Sequence, residues 1–331
     1  MTSPGLGIPT VDTELEASLA AGLEEVEERL AEAVKADNAL LASASRHLVA
    51  AGGKRFRPLL ALVAGQFGDC DGPGVVRAAV VVELTHVATL YHDDVMDEAL
   101  LRRGASSANA RWGNTVAILT GDFLFARASD IAADLGTESV RIQARTFERL
   151  VQGQLRETLG PRPGEDPVAH YLSVLSDKTA SLIATSARLG ALQAGAPSDV
   201  VDVLARYGER IGMAFQLADD LLDIAGDSAS SGKTPGTDLR EGVRTLPVLY
   251  ALRSSDPADA RLRSLLGEPL IDDADHAAAL SLLRGHRAMA EAQAEVRRWA
   301  DDARAVLAPL PDVPARRALE ALCDSVVDRT V

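Results

Sequence analysis

Val11, Leu15, Leu19, Leu23, Val26, Leu30 and Val34 recur at steps of four and three. That spacing puts apolar side chains on one stripe of an amphipathic helix. The same period runs through Ala-, Leu-, Val-, Glu- and Arg-rich segments near 12–36, 38–50, 58–67, 75–102, 109–134, 137–158, 166–192, 197–225, 239–253, 257–266, 274–307 and 313–329. Gly or Pro separates most of them, as helix ends require. No segment alternates apolar and polar residues in the manner of a half-buried strand, so the pattern predicts an all-α fold. The breaks at 68–74, 161–167, 226–236 and 309–314 are short, and none is a long polar linker. They predict a single all-α domain over residues 11–331, a bundle of roughly ten to thirteen helices. Residues 1–10 carry Gly, Ser and Pro without periodicity and are expected to form a flexible tail.

Composition narrows the chemistry more than the fold. At 47% hydrophobic and 25% charged residues the 331-residue chain is ordinary globular protein, which excludes disorder, collagen and a disulfide scaffold. Aromatics make up 4%, so the core must come from aliphatic side chains and Ala. With 48 Asp and Glu against 34 Lys and Arg, the net charge of −14 argues against broad attraction to nucleic acid. Cys70 and Cys323 are too few for a disulfide framework and lack metal-ligand spacing, which suits a reducing cytoplasm. No Lys or Arg precedes Arg29, so the basic region of a secretory signal is missing and a cytoplasmic location is expected. Ala78–Tyr91 is interrupted by Glu83 and His86 and falls short of the roughly 20 apolar residues that span a bilayer. No transmembrane helix is expected.

Asp93-Asp94-Val95-Met96-Asp97 and Asp219-Asp220-Leu221-Leu222-Asp223 stand out against this background. In each, the first and last Asp are i and i+4, on one helix face at about 5–6 Å, where like charges destabilise a helix. Gly226 reads as a helix C-cap, which places the second triplet in the final turns, opposed to the macrodipole. A single such triplet is compatible with a solvated acidic face. Two copies, each preceded by apolar residues, look like two walls of one cation site. Hard oxygen ligands without Cys or a His cluster suit Mg²⁺, with Mn²⁺ as a substitute, rather than Zn²⁺. Mg²⁺ typically takes one or two carboxylates and completes its shell with water and substrate phosphate oxygens. Glu83 and His86 also form a Glu-x-x-His pair, but a ferritin-like di-metal site needs two such pairs, and Glu83 is expected to be structural.

Two basic segments interrupt the acidic chain. Gly52-Gly53-Lys54-Arg55-Phe56-Arg57-Pro58 combines backbone that allows close approach, three cations and a helix start, the components of a diphosphate grip or of a plain basic helix-start loop. Arg102-Arg103-Gly104 reads as the end of the helix that carries Asp97, near enough to that triplet to touch a shared ligand. Lys233 lies in a Gly-rich stretch after the second triplet.

In order, Gly53-Lys54-x-x-Arg57-Pro58, Asp93-Asp94-x-x-Asp97 with Arg102-Arg103-Gly104, Lys178-Thr179, and Phe215-Gln216-x-x-Asp219-Asp220-x-x-Asp223 resemble the trans-isoprenyl diphosphate synthases, the polyprenyl synthetase family. The resemblance runs from about residue 40 to residue 250. It implies an all-α bundle around a central cavity, in a homodimer, that condenses isopentenyl diphosphate with an allylic diphosphate. It assigns Mg²⁺ to Asp93, Asp94, Asp97 and Asp219, with Asp220 and Asp223 completing the metal set. It assigns the allylic diphosphate to Arg102, Lys178 and Lys233, isopentenyl diphosphate to Gly53, Lys54, Arg57, His86 and Arg103, and the homoallylic site to Phe215 and Gln216, with Thr179 in the catalytic set. One departure is Glu241-Gly242-Val243-Arg244, where the family carries Lys at the place of Val243. The change removes a cation that Arg244 replaces only in a different direction, about 100° round a helix.

Ala88 and Thr89 precede Asp93 by five and four residues and are expected to form the floor of the cavity. In the family, bulky residues there stop chain growth early, so Ala88 argues for a long-chain product in the hexaprenyl to decaprenyl range. The alternative is that Ala88 merely packs helices and Phe123 or Phe125 closes the tunnel, as in a geranylgeranyl or farnesyl diphosphate synthase. A long apolar product also implies transient contact with a membrane on release. A class I terpene cyclase shares the first motif but not a second DDxxD, and a non-catalytic partner subunit need not keep both triplets.

Overall fold

The computed structural model describes residues 12–226 and 235–329; the expected tail at 1–10 and Lys233 lie outside the described residues. Helices account for most of the described chain. They are α1 (Thr13–Ala33), α2 (Ala39–Ala50), α3 (Phe56–Gly65), α4 (Pro73–Met96), α5 (Ala108–Trp112), α6 (Asn114–Asp134), α7 (Thr137–Leu159), α8 (Pro167–Leu175), α9 (Ser181–Gln193), α10 (Ser198–Ala225), α11 (Thr237–Glu241), α12 (Leu246–Leu252), α13 (Ala260–Leu265), α14 (Asp273–Arg284), α15 (Arg287–Val306) and α16 (Pro314–Asp328). The all-α expectation holds. The chain divides into two compact units: the first comprises the described residues through Arg149, Leu182–Gly208 and Pro309–Ala321, and the second Leu150–Ser181, Glu209–Ala308 and the segment from Leu322. Four of the five boundaries between the units fall inside helices, in α7, α9, α10 and α16.

In the first unit, Asp12 caps α1 by accepting from the Leu15 N–H at 2.9 Å, and Leu15, Leu19, Val26 and Leu30 turn the expected stripe inward. Helix α3 is apolar on every side except at Arg57, and its residues from Pro58 to Gly65 are all buried. Helix α4 starts on Pro73 after Gly72 and is likewise buried along most of its length. By length and composition α4 could cross a membrane, but 72% of its apolar window is buried, as in the core helix of a folded bundle. Tyr91 ties α4 to α2: its hydroxyl donates to the Ala44 carbonyl and accepts from the Leu48 N–H at 3.2 Å. Burial pushes that phenol up to about 12.

Four expected elements are corrected; one is 109–134, which splits into α5 and α6 at Gly113, where φ is 84°. The helix read over 75–102 ends at Met96, and Leu101–Arg102 pairs with Ala105–Ser106 in a two-stranded antiparallel hairpin, β1 and β2. Arg103 and Gly104 form its turn with φ of 51° and 77°, the positive pair that a two-residue hairpin turn of the primed type requires. Arg102-Arg103-Gly104 is therefore a hairpin tip and not the end of a helix. The reading 239–253 splits into α11 and α12 because Gly242 adopts φ 76°, and 274–307 splits into α14 and α15 where His286 caps a new helix through its ring nitrogen.

Arg55 also departs from expectation. It occupies a left-handed conformation (φ 47°) before α3 and turns inward, where it donates to Glu83 at 2.7 Å, to Glu27 at 2.5 Å and to the Val49 carbonyl at 2.9 Å. Glu83 is structural, as expected, and Arg55 is its counter-ion rather than part of a ligand grip. Replacing Arg55 by Met strands a buried carboxylate. We expect a loss of about 3 kcal/mol or more in unfolding free energy, measured by urea denaturation; a loss below ~1 kcal/mol would mean that the pair contributes little.

Candidate active site

In the first unit the functional side chains are arranged by the helical period of α4. Nearly every α4 residue from Val75 to Ala88 is buried; His92, Val95 and Met96 are accessible on adjoining faces, while His86, Thr89, Leu90, Asp93 and the C-cap Asp97 are accessible at steps of three and four. These last five form one stripe that begins on a histidine, passes over short and apolar side chains and ends on carboxylates. Thr89 lies about 40° round the helix from Asp93, whereas Ala88 lies about 140° away at 100° per residue. Ala88 is fully buried where α4 meets α6, its carbonyl beside Gly121. Thr89 donates its hydroxyl to the His86 carbonyl at 2.7 Å.

Asp94 is wholly buried, and Arg102 reaches back from β1 to donate Nε to its Oδ1 at 2.6 Å. Its other oxygen, Oδ2, is buried and finds no hydrogen-bond partner among the described residues. Burial raises this carboxyl above the usual carboxylate range, against the pull of Arg102. An anionic oxygen left in that condition is costly unless a cation or donor completes it. Together with the all-oxygen donor set, this fits a hard divalent ion. Among the described residues no three His, Cys, Asp or Glu side chains converge into a ready-made cage. The fit is thus to an ion held by few protein oxygens and finished by a ligand.

The hairpin places Arg103 against the glycine loop. Its guanidinium donates to the Leu48 carbonyl at 2.9 Å and to the Gly52 carbonyl, and it lies where any Cβ on Gly53 would meet it at 3.2 Å. Gly53 also holds φ 154°, a conformation that side-chain-bearing residues rarely adopt. Lys54 beside it is exposed and Arg57 is half-buried. His86 feels Arg57, Arg103, Arg55 and Arg102; burial first, then these charges, holds its imidazole far below its ordinary pKa, so it is neutral at pH 7. The result is a cationic cluster at one end of the stripe and carboxylates at the other.

In the second unit α10 carries Phe215, Gln216, Asp219, Asp220 and Asp223. Asp219 is half-exposed and accepts from Arg329 at 2.8 Å, with the same guanidinium 5.4 Å from the Phe215 ring. Asp220 is buried and both of its oxygens are engaged, Oδ1 by the Gln216 amide at 2.9 Å and Oδ2 by the Tyr171 hydroxyl. Desolvation pushes this acid up to about 6 even though both donors favour the anion. Asp223 accepts from the backbone N–H groups of Thr237 and Asp238, both at 3.2 Å, and so holds the start of α11 to the end of α10. Lys178 and Thr179 lie in a π-helical turn, Ser176–Ala180, between α8 and α9. Such a turn is common at functional sites. Lys178 pairs with Glu157, and Thr179 donates to the Gln216 carbonyl at 3.2 Å.

Tyr171, Glu157 and Arg329 were not singled out by sequence reasoning. None sits in an Asp, Arg or Gly motif, and the π-turn that brings Thr179 to Gln216 leaves no periodic trace. Val243 and Arg244 line a small pocket with Leu239, Val248 and Leu266, and Arg244 donates to the Gly267 carbonyl at 3.1 Å.

Residues 38–283 match the polyprenyl synthetase family model. The chain is 50% identical to a nonaprenyl diphosphate synthase of Mycobacterium tuberculosis over 98% of its own length and 97% of the relative's. It is 42% identical to a dimethylallyltranstransferase of the same organism, over 97% and 98%. A crystal structure of geranylgeranyl pyrophosphate synthase from Corynebacterium glutamicum, complexed with calcium and isoprenyl diphosphate, superposes with a TM-score of 0.88 at 46% identity, covering 98% of this chain and 99% of that one.

The tightest approach behind the α4 stripe is at Gly121, where a Cβ would collide with the His92 ring. Gly121→Ala should therefore part α4 from α6 beside Asp93 and lower stability by about 1–3 kcal/mol in urea unfolding; an unaltered midpoint would show that the two helices separate without cost.

Proposed function

The chain belongs to the polyprenyl synthetase family, and on that footing we propose that it is a divalent-metal-dependent prenyltransferase which condenses isopentenyl diphosphate with allylic diphosphates into a linear trans-polyprenyl diphosphate. The observation that carries this reading is the accessible stripe of α4, cationic cluster at one end, carboxylates at the other and Thr89 and Leu90 between them. Asp93, Asp97 and the open oxygen of Asp94 would hold a metal in the first unit, and Asp219 would hold one in the second. Mg²⁺ is the proposed ion, and when bound it supplies Lewis-acid stabilisation of the charge that develops on the departing diphosphate.

The reaction breaks the allylic C–O bond, and its electron pair leaves with diphosphate. Arg102, Lys178 and Lys233 hold that leaving group and share its growing negative charge. Gly53, Lys54, Arg57 and Arg103 hold the diphosphate of isopentenyl diphosphate, with neutral His86 beside it as a hydrogen-bonding group that adds no charge. The double bond of the bound isopentenyl unit then forms a C–C bond to the allylic carbon, and a proton is lost from its C2. The departing diphosphate, held at the same place, is the base. Apolar walls keep water from the allylic cation before the double bond reaches it.

Phe215, beside the Arg329 guanidinium, and Gln216, bonded to Thr179, would serve the homoallylic site from the second unit. The exposed Ile118 and Leu119 on α6 support a homodimer, because apolar side chains side by side on an outer helix face favour burial against a second copy. The free thiols of Cys70 and Cys323 support a reducing, cytoplasmic setting. For product length, a long-chain product is the reading favoured by the 50% identity to a nonaprenyl synthase and by short side chains on the stripe. A geranylgeranyl product is the second reading, favoured by the 46% identity to the Corynebacterium enzyme.

Incubation with isopentenyl diphosphate and each short allylic starter in Mg²⁺, followed by mass measurement, should give chains of six or more isoprene units and none with a chelator present. Products that stop at four units favour the second reading, and no condensation removes both. Asp93→Asn should lower kcat by about 10²-fold or more with the fold intact. Thr89→Phe, on the stripe, should shorten the product while condensation persists; an unchanged distribution would take Thr89 out of the wall. Ala88→Phe should shorten it less and cost about 1–3 kcal/mol of stability, because Ala88 sits in the α4–α6 contact.

A further inference from the structure

Three hydrogen bonds in the second unit join end to end. The Tyr171 hydroxyl on α8 donates to Oδ2 of Asp220, the Gln216 amide donates to Oδ1 of Asp220 at 2.9 Å, and the Thr179 hydroxyl donates to the Gln216 carbonyl at 3.2 Å. The order of donors is forced. The Asp220 carboxylate can only accept, so Gln216 must point its NH₂ at it, and the amide oxygen is then left to face Thr179. One carboxylate thereby decides which way the Gln216 amide lies, and the amide decides what Thr179 can bond.

The chain of bonds ends on the element with most need of external support. Ser176–Ala180 is a π-turn, wider than the α-helices on either side and less favourable than they are. Helix α7 approaches it closely through Gly153, where a Cβ would stand 2.8 Å from the Lys178 nitrogen. Arg156 pairs with Asp177 and Glu157 with Lys178 from that side. The Tyr171–Asp220–Gln216 chain holds the other side of the turn, at Thr179. Asp220 is 7% exposed, whereas the neighbouring Asp219 presents a half-exposed carboxylate. Of the two, Asp219 is built to meet a cation and Asp220 is built to receive donors from within.

We infer that Tyr171 is a positioning residue: through Asp220 and Gln216 its hydroxyl holds Thr179 and the Lys178-bearing π-turn where the allylic diphosphate is gripped, and Asp220 is a buried strut rather than a metal ligand. This inference rests on the proposed function for its kinetic consequence but not for the role of Asp220.

Two arms test it. In the first, Tyr171→Phe removes one hydroxyl and keeps the ring. The expected result is a loss of about tenfold to a hundredfold in kcat/KM for the allylic diphosphate, with KM for isopentenyl diphosphate within about twofold of wild type. Thr179→Val should give a similar loss, and the double variant should lose no more than the worse single variant. Equal losses for both substrates, multiplying losses, or no loss would overturn the positioning role. In the second arm, calorimetry follows Mg²⁺ binding to the full chain with inorganic diphosphate present. Asp220→Asn should keep the affinity within about threefold, and Asp219→Asn should lose tenfold or more. An Asp220→Asn loss matching that of Asp219→Asn would make Asp220 a ligand and overturn the inference. Wild-type turnover tests the functional reading separately, and the calorimetric arm decides Asp220 without any turnover.

Discussion

A carboxylate carried into an apolar helix bundle is tolerated only where a donor or cation reaches it, and that requirement organises this protein. Removing a charge from water costs several kcal/mol after relaxation, more than a helix gains from any single favourable contact. Each buried acid is answered in its own way. Glu83 is met by Arg55, which also closes on Glu27 and on the end of α2. Asp94 is met by Arg102 from the hairpin, and Asp220 by Tyr171 and Gln216. The answers differ in completeness. Glu83 and Asp220 are satisfied within the chain, while Asp94 keeps one buried oxygen that no described residue meets. That unfinished account marks where structure gives way to chemistry, because a ligand or ion arriving there gains what the fold has left open.

The hairpin after α4 is the device that makes this economical. Two residues with positive φ at Arg103 and Gly104 reverse the chain within one turn of helix, so two adjacent arginines do different work. Arg102 returns to the acidic triplet, and Arg103 goes to the carbonyls of α2 and the glycine loop. Had the helix continued, both would have projected from neighbouring positions of a single rod, about 100° apart and farther along its axis. Glycine serves the same end elsewhere: Gly53 leaves room for the Arg103 guanidinium, and Gly121 brings α6 onto α4 beside the triplet.

Much of this was legible in the residues themselves. The three-and-four spacing announces an all-α bundle, and the paired Asp triplets with their basic counterparts announce diphosphate chemistry in family order. What residue type and spacing do not carry is direction. Lys54, Arg55 and Arg57 read as one basic cluster, yet a left-handed backbone at Arg55 turns that side chain into the core and leaves its neighbours outside. Asp219 and Asp220 both stand in the expected metal set, yet the helix leaves one half-exposed and turns the other inward. Ala88 and Thr89 read as one floor, yet they lie on different faces of α4. Tyr171 was invisible because its partner, Asp220, is forty-nine positions away and is joined through a π-turn whose extra residue breaks the 3.6-residue register.

We propose that both acidic triplets serve metal-dependent diphosphate binding, and interdependence of their contributions is what that proposal requires. Titration of inorganic diphosphate with Mg²⁺ into the wild type, Asp93→Asn, Asp219→Asn and the double variant measures this directly. The account predicts metal-dependent binding that either single change weakens at least tenfold, with the double variant little worse than the weaker single one. Losses that multiply as for two independent sites, or diphosphate binding that survives a chelator unchanged, would contradict it.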